Sequence, residues 1–188
     1  MFSDVLFDPI FSDFLTSAEL NVDPGVVSKA CYDLIGANAG VVVSNGPDTY
    51  HSEVSNSIPD TAIGTAINQS MHFADSLLKE KYNVGLADKL DWWLNETCFG
   101  GYNAPHIHGR ADIIAIYYPK VPPGSSALSL TRNDGSNYTK LYNKIDQTLN
   151  LDIKEGRVYM FPGHIWHYVE AQTTVEKRLS ISMNLYLH

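Results

Sequence analysis

The chain has 188 residues, of which 44% are hydrophobic and 18% charged, and its formal net charge at pH 7 is -8. This composition is too apolar for a disordered protein and the length suits one core, so we expect residues 1–188 to form a single domain. The acidic balance disfavours nucleic acid and anionic membrane surfaces as partners, because their phosphate groups would be repelled.

The first residues and the cysteines bear on the cellular compartment. The N-terminal sequence MFSDVLFDPIFSDFL has acidic residues where a signal peptide needs basic ones, and no apolar run reaches the length of a membrane span. The two cysteines, Cys31 and Cys98, are too few for a disulfide framework and lack the paired spacing of a zinc site. We therefore expect a cytoplasmic protein with reduced thiols and no membrane partner.

The N-terminal part of the chain, residues 1–87, is predicted to form a helical support layer. A first helix is expected at 24–38, where proline and glycine precede apolar residues at helical spacing. A strand is expected at 40–45, in the sequence GVVVSN. The strongest helix is predicted for Asp60–Tyr82, where apolar residues recur every three or four positions. One face of this helix is expected to pack on a sheet.

The pattern changes in residues 88–188 to short runs of strand-forming residues separated by turn sequences such as PPGSS and RNDGSN. Regular spacing of this kind is typical of an antiparallel sandwich or barrel. The predicted runs are 89–96, 112–119, 126–130, 147–153, 157–162, 166–171 and 177–187. The fold class is therefore predicted to be mainly β with N-terminal helices.

Two histidines stand one residue apart in the sequence NAPHIHGR, immediately before one of these strands. On a strand, residues two apart point to the same face, so His106 and His108 could present two imidazoles to one point. Imidazole is a good ligand for iron, zinc, copper and nickel, and a catalytic metal needs about three protein ligands. The third ligand would come from a distant strand, where His164 and His167 are the candidates.

One family that the motifs resemble is the cupins. Their glycine, H-x-H, acid pattern is matched by Gly100, His106, His108 and Asp112, with aspartate where glutamate is usual. Their second pattern, a glycine, a proline and a histidine, is matched by Gly156, Pro162 and His167. This resemblance implies a metal site in which Asp112 is a ligand.

A second resemblance covers nearly the whole second half of the chain. The sequence is similar to the phage- and bacterial-type 2-oxoglutarate/Fe(II)-dependent oxygenases, whose pattern runs W-x-N, N-x-P-H-x-H, YY, G-x-x-x-x-F-P-x-x-x-x-H-x-V and R-x-S-x-S-x-N. The positions in register are Trp93, Asn95, Asn103, Pro105, His106, His108, Tyr117, Tyr118, Gly156, Phe161, Pro162, His167, Val169, Arg178, Ser180, Ser182 and Asn184. The resemblance implies a double-stranded β-helix, also called a jelly roll, in residues 88–188.

The same resemblance implies the chemistry of the site. Fe(II) would be bound by His106, His108 and His167, with 2-oxoglutarate as cosubstrate and O2 as oxidant. His108 stands where most 2-oxoglutarate oxygenases have a carboxylate, so Asp112 is the competing ligand if the cupin register is right. His164 is expected to be exposed on a loop or to face the substrate.

Arg178 distinguishes the two families on physical grounds. An oxygenase must hold the distal carboxylate of 2-oxoglutarate with a buried cation, and an arginine two residues before a serine places a guanidinium and a hydroxyl on one strand face. Arg178 and Ser180 are therefore predicted to bind the cosubstrate, while Lys177 faces the other way. Tyr118, by analogy with oxygenases whose strand ends in paired tyrosines, and Asn95 are further candidates.

The predicted function is a dioxygenase that hydroxylates a C–H bond of a peptide or small molecule. The alternative is a cupin-type metal-binding protein or enzyme that does not use 2-oxoglutarate, and a structural β protein without a metal is a third interpretation. The sequence does not choose the substrate or the oligomeric state.

Overall fold

A computed structural model of the protein describes residues 6–10, 13–41, 49–131 and 148–188. The strands are β1 (Leu6–Ile10), β2 (Asp13–Glu19), β3 (Thr49–His51), β4 (Leu86–Thr97), β5 (Asn103–His106), β6 (Ile113–Lys120), β7 (Leu128–Thr131), β8 (Thr148–Leu151), β9 (Arg157–Pro162), β10 (Trp166–Val169) and β11 (Arg178–Leu187), and the helices are α1 (Pro24–Ala37) and α2 (Ala62–Tyr82). Each of the seven predicted strand runs after residue 88 overlaps one of these strands. None of the described helices is long and apolar enough to cross a membrane.

The strands form two antiparallel sheets. The larger has seven strands in the order β1-β2-β9-β6-β11-β4-β3, and the smaller has four in the order β5-β10-β7-β8. One hydrophobic cluster joins the inner faces of the two sheets, since Ile114, Ile116 and Phe161 of the larger sheet pack with Leu128 and Val169 of the smaller. The two sheets therefore face each other as in a jelly roll, as the sequence predicted.

The two helices cover the outer face of the larger sheet. Ile67 and Leu78 of α2 belong to one buried cluster with Ala115 of β6 and with Ile181 and Met183 of β11. Complete burial of an aliphatic side chain of this size stabilises the fold by about 1.5–3 kcal/mol. The prediction that the second helix packs on a sheet is confirmed.

The ends of both helices follow from local chemistry. Asp23 caps α1, because its carboxylate accepts hydrogen bonds from the backbone N–H groups of Gly25 at 2.8 Å and Val26 at 3.4 Å. Asn83 ends α2 in the left-handed conformation with φ 56°, which asparagine tolerates better than most residues.

The helical support layer predicted for residues 1–87 also contributes strands to the larger sheet, namely β1, β2 and β3. β2 pairs with β9, β3 pairs with β4, and β4 begins at Leu86. In β2, Leu15, Thr16 and Ala18 are all buried, so the strand lacks the alternation of polar and apolar residues that reveals a half-exposed strand. Most of the strand predicted at 40–45 lies outside the described residues.

Candidate metal centre and its cavity

Three histidines meet between the two sheets. His106 ends β5 and is the pairing partner of His167 on β10, while His108 lies two residues beyond the end of β5. Each side chain offers one ligand nitrogen, and these nitrogens all lie within 4.8 Å of one another. The expectation that a single strand carries both His106 and His108 is therefore wrong, although their convergence is confirmed.

A loop rather than a strand brings His108 to the cluster. The backbone N–H of His108 donates to the carbonyl of Gly163 at 2.9 Å, and the carbonyl of His108 accepts from the N–H of Ala111 at 2.9 Å. The N–H of Gly163 in turn donates to the carbonyl of Asp112 at 2.9 Å. The turn after β9 thus fixes the loop that follows β5.

Hydrogen bonds determine which ring nitrogen of each histidine is free. The Nδ1 of His106 lies 2.7 Å from the carbonyl oxygen of Ala104, and the Nδ1 of His167 lies 3.0 Å from that of Ile165. The Nδ1 of His108 lies 2.6 Å from the Oδ1 of Asn184. These oxygens only accept hydrogen bonds, so each Nδ1 carries the proton and each Nε2 keeps its lone pair. Fixing the tautomer in this way is how metal-binding histidines are oriented.

Burial keeps two of these imidazoles uncharged. Burial, reinforced by the nearby His106 and His108 rings, lowers the pKa of His167 to about 3. The pKa of His108 is also lowered, chiefly by burial, with the hydrogen bond to Asn184 opposing the shift. Both side chains are neutral at pH 7, which is the state that binds a metal.

Asp112 and His164 lie outside the cluster. The carboxylate of Asp112 is exposed and accepts a hydrogen bond from the backbone N–H of Leu187 at 3.0 Å. His164 is an exposed residue of the turn after β9. Among the described residues, the group that could hold a metal contains His106, His108 and His167 and no carboxylate.

An inner cavity extends from the histidines into the space between the sheets. It is lined by all three histidines, by Tyr118 and Asn95, and by side chains of β11 that include Arg178, Ser180 and Ser182. The antiparallel register places Ser182 opposite Trp93, Ser180 opposite Asn95 and Arg178 opposite Thr97. The predicted cosubstrate-binding residues thus all line one cavity that also contains the histidines.

Arg178 lies at the end of this polar row and is only 2% exposed. Its Nη1 donates to the carbonyl of Ser126 at 3.1 Å, and its Nη2 donates to the hydroxyl of Thr97 at 3.2 Å. Its Nε has no hydrogen-bond partner in the described part of the chain, and neither has the buried Oδ1 of Asn95. Burial lowers the pKa of the guanidinium, which shows that its charge is held at a cost.

The neighbours of Arg178 and Tyr118 point to the opposite face, as predicted. Lys177 is exposed and forms an ion pair with Glu96 at 2.8 Å. Tyr117 belongs to the cluster under the helices, whereas Tyr118 belongs to the cluster between the sheets. Burial raises the pKa of Tyr118 to about 12, and the positive charge of Arg178 partly opposes this shift. The phenol of Tyr118 therefore stays protonated and can donate a hydrogen bond.

An outer cleft opens on the other side of the histidines. It shares Trp93, Asn103, His106 and His108 with the inner cavity. The ring of Trp93 stacks on His108 with centroids 5.5 Å apart, and on His51 with centroids 5.8 Å apart. The candidate metal centre consequently lies between an inner cavity that ends at Arg178 and an outer cleft with an aromatic wall.

Residues 91–184, half of the chain, match the sequence profile of the family described as "Putative 2OG-Fe(II) oxygenase". The chain belongs to the 2OG-Fe(II) oxygenase family. It is an enzyme that depends on Fe(II), 2-oxoglutarate and O2, as the sequence predicted. The family match decides against the cupin alternative. It gives no information on whether the chain is of the phage type. No curated protein has a sequence that matches this oxygenase.

Solved structures with the same fold are distant in sequence. A prolyl-4-hydroxylase from Pseudomonas putida has 14% identity and a TM-score of 0.67, covering 92% of this chain and 91% of its own. HygX from Streptomyces hygroscopicus, with nickel and 2-oxoglutarate bound, has 10% identity and a TM-score of 0.64, with coverages of 92% and 82%. A prolyl hydroxylase from Trichoplax adhaerens has 15% identity and a TM-score of 0.58, with coverages of 87% and 77%. The oxygenase therefore has the double-stranded β-helix fold.

Sequence reasoning missed the residues that hold the predicted ones in place. Asn184, which accepts from His108, was identified only as one of the positions in register with the oxygenase pattern. Thr97 and Ser126, which accept from Arg178, were not identified at all. Asn184 could have been found because it lies on the same strand face as Arg178, whereas Ser126 acts through its backbone carbonyl and leaves no side-chain signal.

The turn glycine Gly163 is expected to be essential for the placement of His108. A Cβ atom at Gly163 would lie 2.0 Å from the carbonyl oxygen of Ala111 and 3.1 Å from that of His108, and neither backbone atom can move alone. Gly163→Ala should lower the free energy of unfolding by about 1–3 kcal/mol. It should also weaken Mn(II) binding, because the His108 loop must shift.

Gly109→Ala is the matched control, since a Cβ there meets no atom within 4 Å. Urea unfolding and Mn(II) calorimetry on both variants check the prediction. Equal stability and equal Mn(II) affinity in the two variants would show that the turn does not hold the loop.

Proposed function

We propose that His106, His108 and His167 are the catalytic Fe(II) ligands of this oxygenase, each through its Nε2. The observation that carries this assignment is the convergence of three ligand nitrogens within 4.8 Å at the boundary of the two cavities. The donor set suits iron, because each Nδ1 donates its proton to an oxygen and leaves Nε2 as the ligand atom.

We propose that 2-oxoglutarate occupies the inner cavity with its distal carboxylate on Arg178. Arg178 is 2% exposed and, within the described residues, donates hydrogen bonds only to neutral groups. A buried charge of this kind is stabilised when an anion binds beside it. The unpartnered Nε of Arg178 is consistent with such an anion. Ser180 and Tyr118 would add hydroxyl donors, and Asn95, whose amide lies 3.3 Å from Ser182, would contact the cosubstrate from β4.

The reaction that this arrangement supports is hydroxylation of a C–H bond. Fe(II) held by the three histidines would supply O2 activation, in which one oxygen atom would enter the substrate and the other would enter succinate, formed from 2-oxoglutarate with loss of CO2. The chain's own residues would orient the cosubstrate from its distal end, where Arg178 and Tyr118 are buried away from bulk solvent. The substrate would approach through the outer cleft, past Trp93.

We propose a peptide or a small molecule as the substrate and expect no nucleic acid. A cleft on one side of the centre suits either class, and relatives of both kinds exist. The Trichoplax enzyme was solved with a peptide fragment, and HygX was solved with hygromycin B. We also propose that the chain acts as one domain, because β2 and β3 pair with strands of the C-terminal half.

Gln172 is expected to position Arg178 indirectly. This buried side chain accepts from the N–H of Ser126 at 3.2 Å and donates to Ser125 at 3.1 Å and Thr174 at 2.7 Å. Gln172→Leu should raise the KM for 2-oxoglutarate by about 5- to 10-fold, the scale of one lost hydrogen bond, while kcat and iron affinity change little.

Two other variants separate positioning from simple stability. Gln172→Glu keeps the Oε1 acceptor and should recover part of the affinity for 2-oxoglutarate. Thr173→Ala removes a hydrogen bond between the same two loops, from the Thr173 hydroxyl to the carbonyl of Gly124. This bond does not involve Ser126, so the KM for 2-oxoglutarate should stay unchanged. Steady-state kinetics that show equal KM values in all three variants would rule out the positioning role.

The experiment that tests the proposed function is an anaerobic titration. Fe(II) is added to the purified chain, followed by 2-oxoglutarate, and the visible charge-transfer band of an Fe(II) complex with the chelating keto acid is measured. A saturable band is expected, and succinate, which lacks the ketone, should not produce it. No band with 2-oxoglutarate at saturating Fe(II) would contradict the proposal.

A further inference from the structure

The two cavities on either side of the histidines contain no acidic side chain among their described lining residues. Their charged lining residues are Arg178 in the inner cavity and Arg110 in the outer cleft. The chain as a whole has 21 acidic residues and 13 basic ones. Its composition alone would therefore not lead us to expect cavity linings with two cations and no carboxylate. The lining therefore favours negatively charged ligands at both ends.

The carboxylates near Arg110 are engaged elsewhere. Asp112 accepts a hydrogen bond from Leu187, and Asp91 accepts one from the hydroxyl of Tyr186 at 2.5 Å. Burial raises the pKa of Tyr186 to about 12, with Arg110 opposing the shift, so this neighbour of Arg110 is neutral at pH 7. Within the described part of the chain, Arg110 makes no ion pair, and it is an exposed residue that lines the cleft.

We propose that Arg110 binds an oxyanion group, a carboxylate or a phosphate, of the substrate. This inference rests on the proposed function, in which the distal carboxylate of 2-oxoglutarate accounts for Arg178 and leaves Arg110 without an anion. The planar guanidinium suits bidentate pairing with either oxyanion. Because none of the three histidine ligands carries a negative charge, the centre does not repel an anionic substrate as a site with a carboxylate ligand would.

The position of Arg110 limits the size of the substrate. Arg110 is two residues from His108, so their Cα atoms are at most about 7 Å apart. We therefore expect the oxyanion close to the C–H bond that is oxidised, within one small molecule or within a residue or two of a peptide. The stacked rings of Trp93 and His51 line the same cleft as Arg110. The substrate class is thus an anionic small molecule or a peptide with an acidic group next to the reacting carbon.

Binding to the protein loaded with Mn(II) and saturating 2-oxoglutarate tests this assignment. The probes are N-acetylated amino acids as free acids and as carboxamides, with glycerol 3-phosphate and glycerol as a second pair. Proton NMR detects each probe, since Mn(II) broadens the signals of molecules that bind close to it. Free acids or the phosphate ester should be broadened while their uncharged partners are not, and the responding pair identifies the oxyanion.

The variants locate the effect at Arg110. Arg110→Gln should weaken binding of the anionic probe at least about 10-fold. Lys29→Gln removes the same charge from an exposed position on α1, where Lys29 pairs with Asp33, and should leave binding unchanged. Equal broadening of charged and uncharged probes, no broadening at all, or unchanged binding in Arg110→Gln would overturn the proposal.

The same samples distinguish a failure of this inference from a failure of the proposed function. Calorimetry of 2-oxoglutarate binding to the Mn(II) protein is measured before any probe is added. Absence of 2-oxoglutarate binding contradicts the proposed function, whereas normal 2-oxoglutarate binding without discrimination between acid and amide contradicts only the role of Arg110.

Discussion

His167→Ala is expected to abolish Fe(II) binding without unfolding the chain. His167 is 3% exposed and holds its tautomer through the carbonyl of Ile165, so its Nε2 is fixed in place before a metal arrives. Loss of a hydrogen-bond partner of a ligand costs about 10- to 100-fold in metal affinity, and loss of a ligand itself should cost more than that. Anaerobic calorimetry with Fe(II) measures the affinity, and circular dichroism shows whether the fold persists.

The chain supplies matched controls for this substitution. His164→Ala removes an exposed imidazole only three residues away and should bind Fe(II) like the parent. Asp112→Asn should also retain the metal, because this carboxylate accepts from Leu187 and lies outside the cluster. If Asp112→Asn loses Fe(II) while His108→Ala keeps it, the ligand set is the one that the cupin register implies.

The fold of the C-terminal half was predictable because short strand-forming runs recur there at regular spacing between turn sequences, and because the last strand also alternates. In β11, Leu179, Ile181 and Met183 face the helices, while Ser180 and Ser182 line the cavity, and this period of two is visible in the sequence. The same reasoning separated Tyr117 from Tyr118. Local periodicity is sufficient where a strand has one apolar face and one functional face.

The parts that were not predictable depend on contacts between distant residues. β2 is buried on both faces because helices cover one side of the sheet and the second sheet covers the other, so its sequence does not alternate. His108 reaches the cluster through a backbone hydrogen bond to Gly163, which lies 55 residues later in the chain. Ser126 holds Arg178 by its carbonyl, and any residue type at that position has a carbonyl. Spacing in the sequence contains no information about such backbone partners.

Arg178→Met is expected to raise the 2-oxoglutarate requirement by about 100-fold, which corresponds to about 2.7 kcal/mol. The physical reason is the loss of a charge-assisted hydrogen bond from a buried guanidinium. Methionine fills much of the same volume, so the packing of β11 against β4 should persist. Iron affinity should be nearly unchanged, because within the described residues Arg178 donates hydrogen bonds to Ser126 and Thr97 and to none of the three histidines.

Lys177→Met is the control that makes the result specific to the cavity. Lys177 is the adjacent residue, carries the same charge and points to the opposite face, where it pairs with Glu96. Its loss leaves a carboxylate that is only 5% exposed without its cation, so some stability should be lost. The 2-oxoglutarate requirement should nevertheless stay at the parent value, because Lys177 does not line the cavity.

Titration of 2-oxoglutarate into the Fe(II) protein of each variant gives the two dissociation constants. Parental affinity in Arg178→Met would show that the distal carboxylate is held elsewhere, and a similar loss in Lys177→Met would show that net charge or stability, rather than the guanidinium in the cavity, sets the affinity.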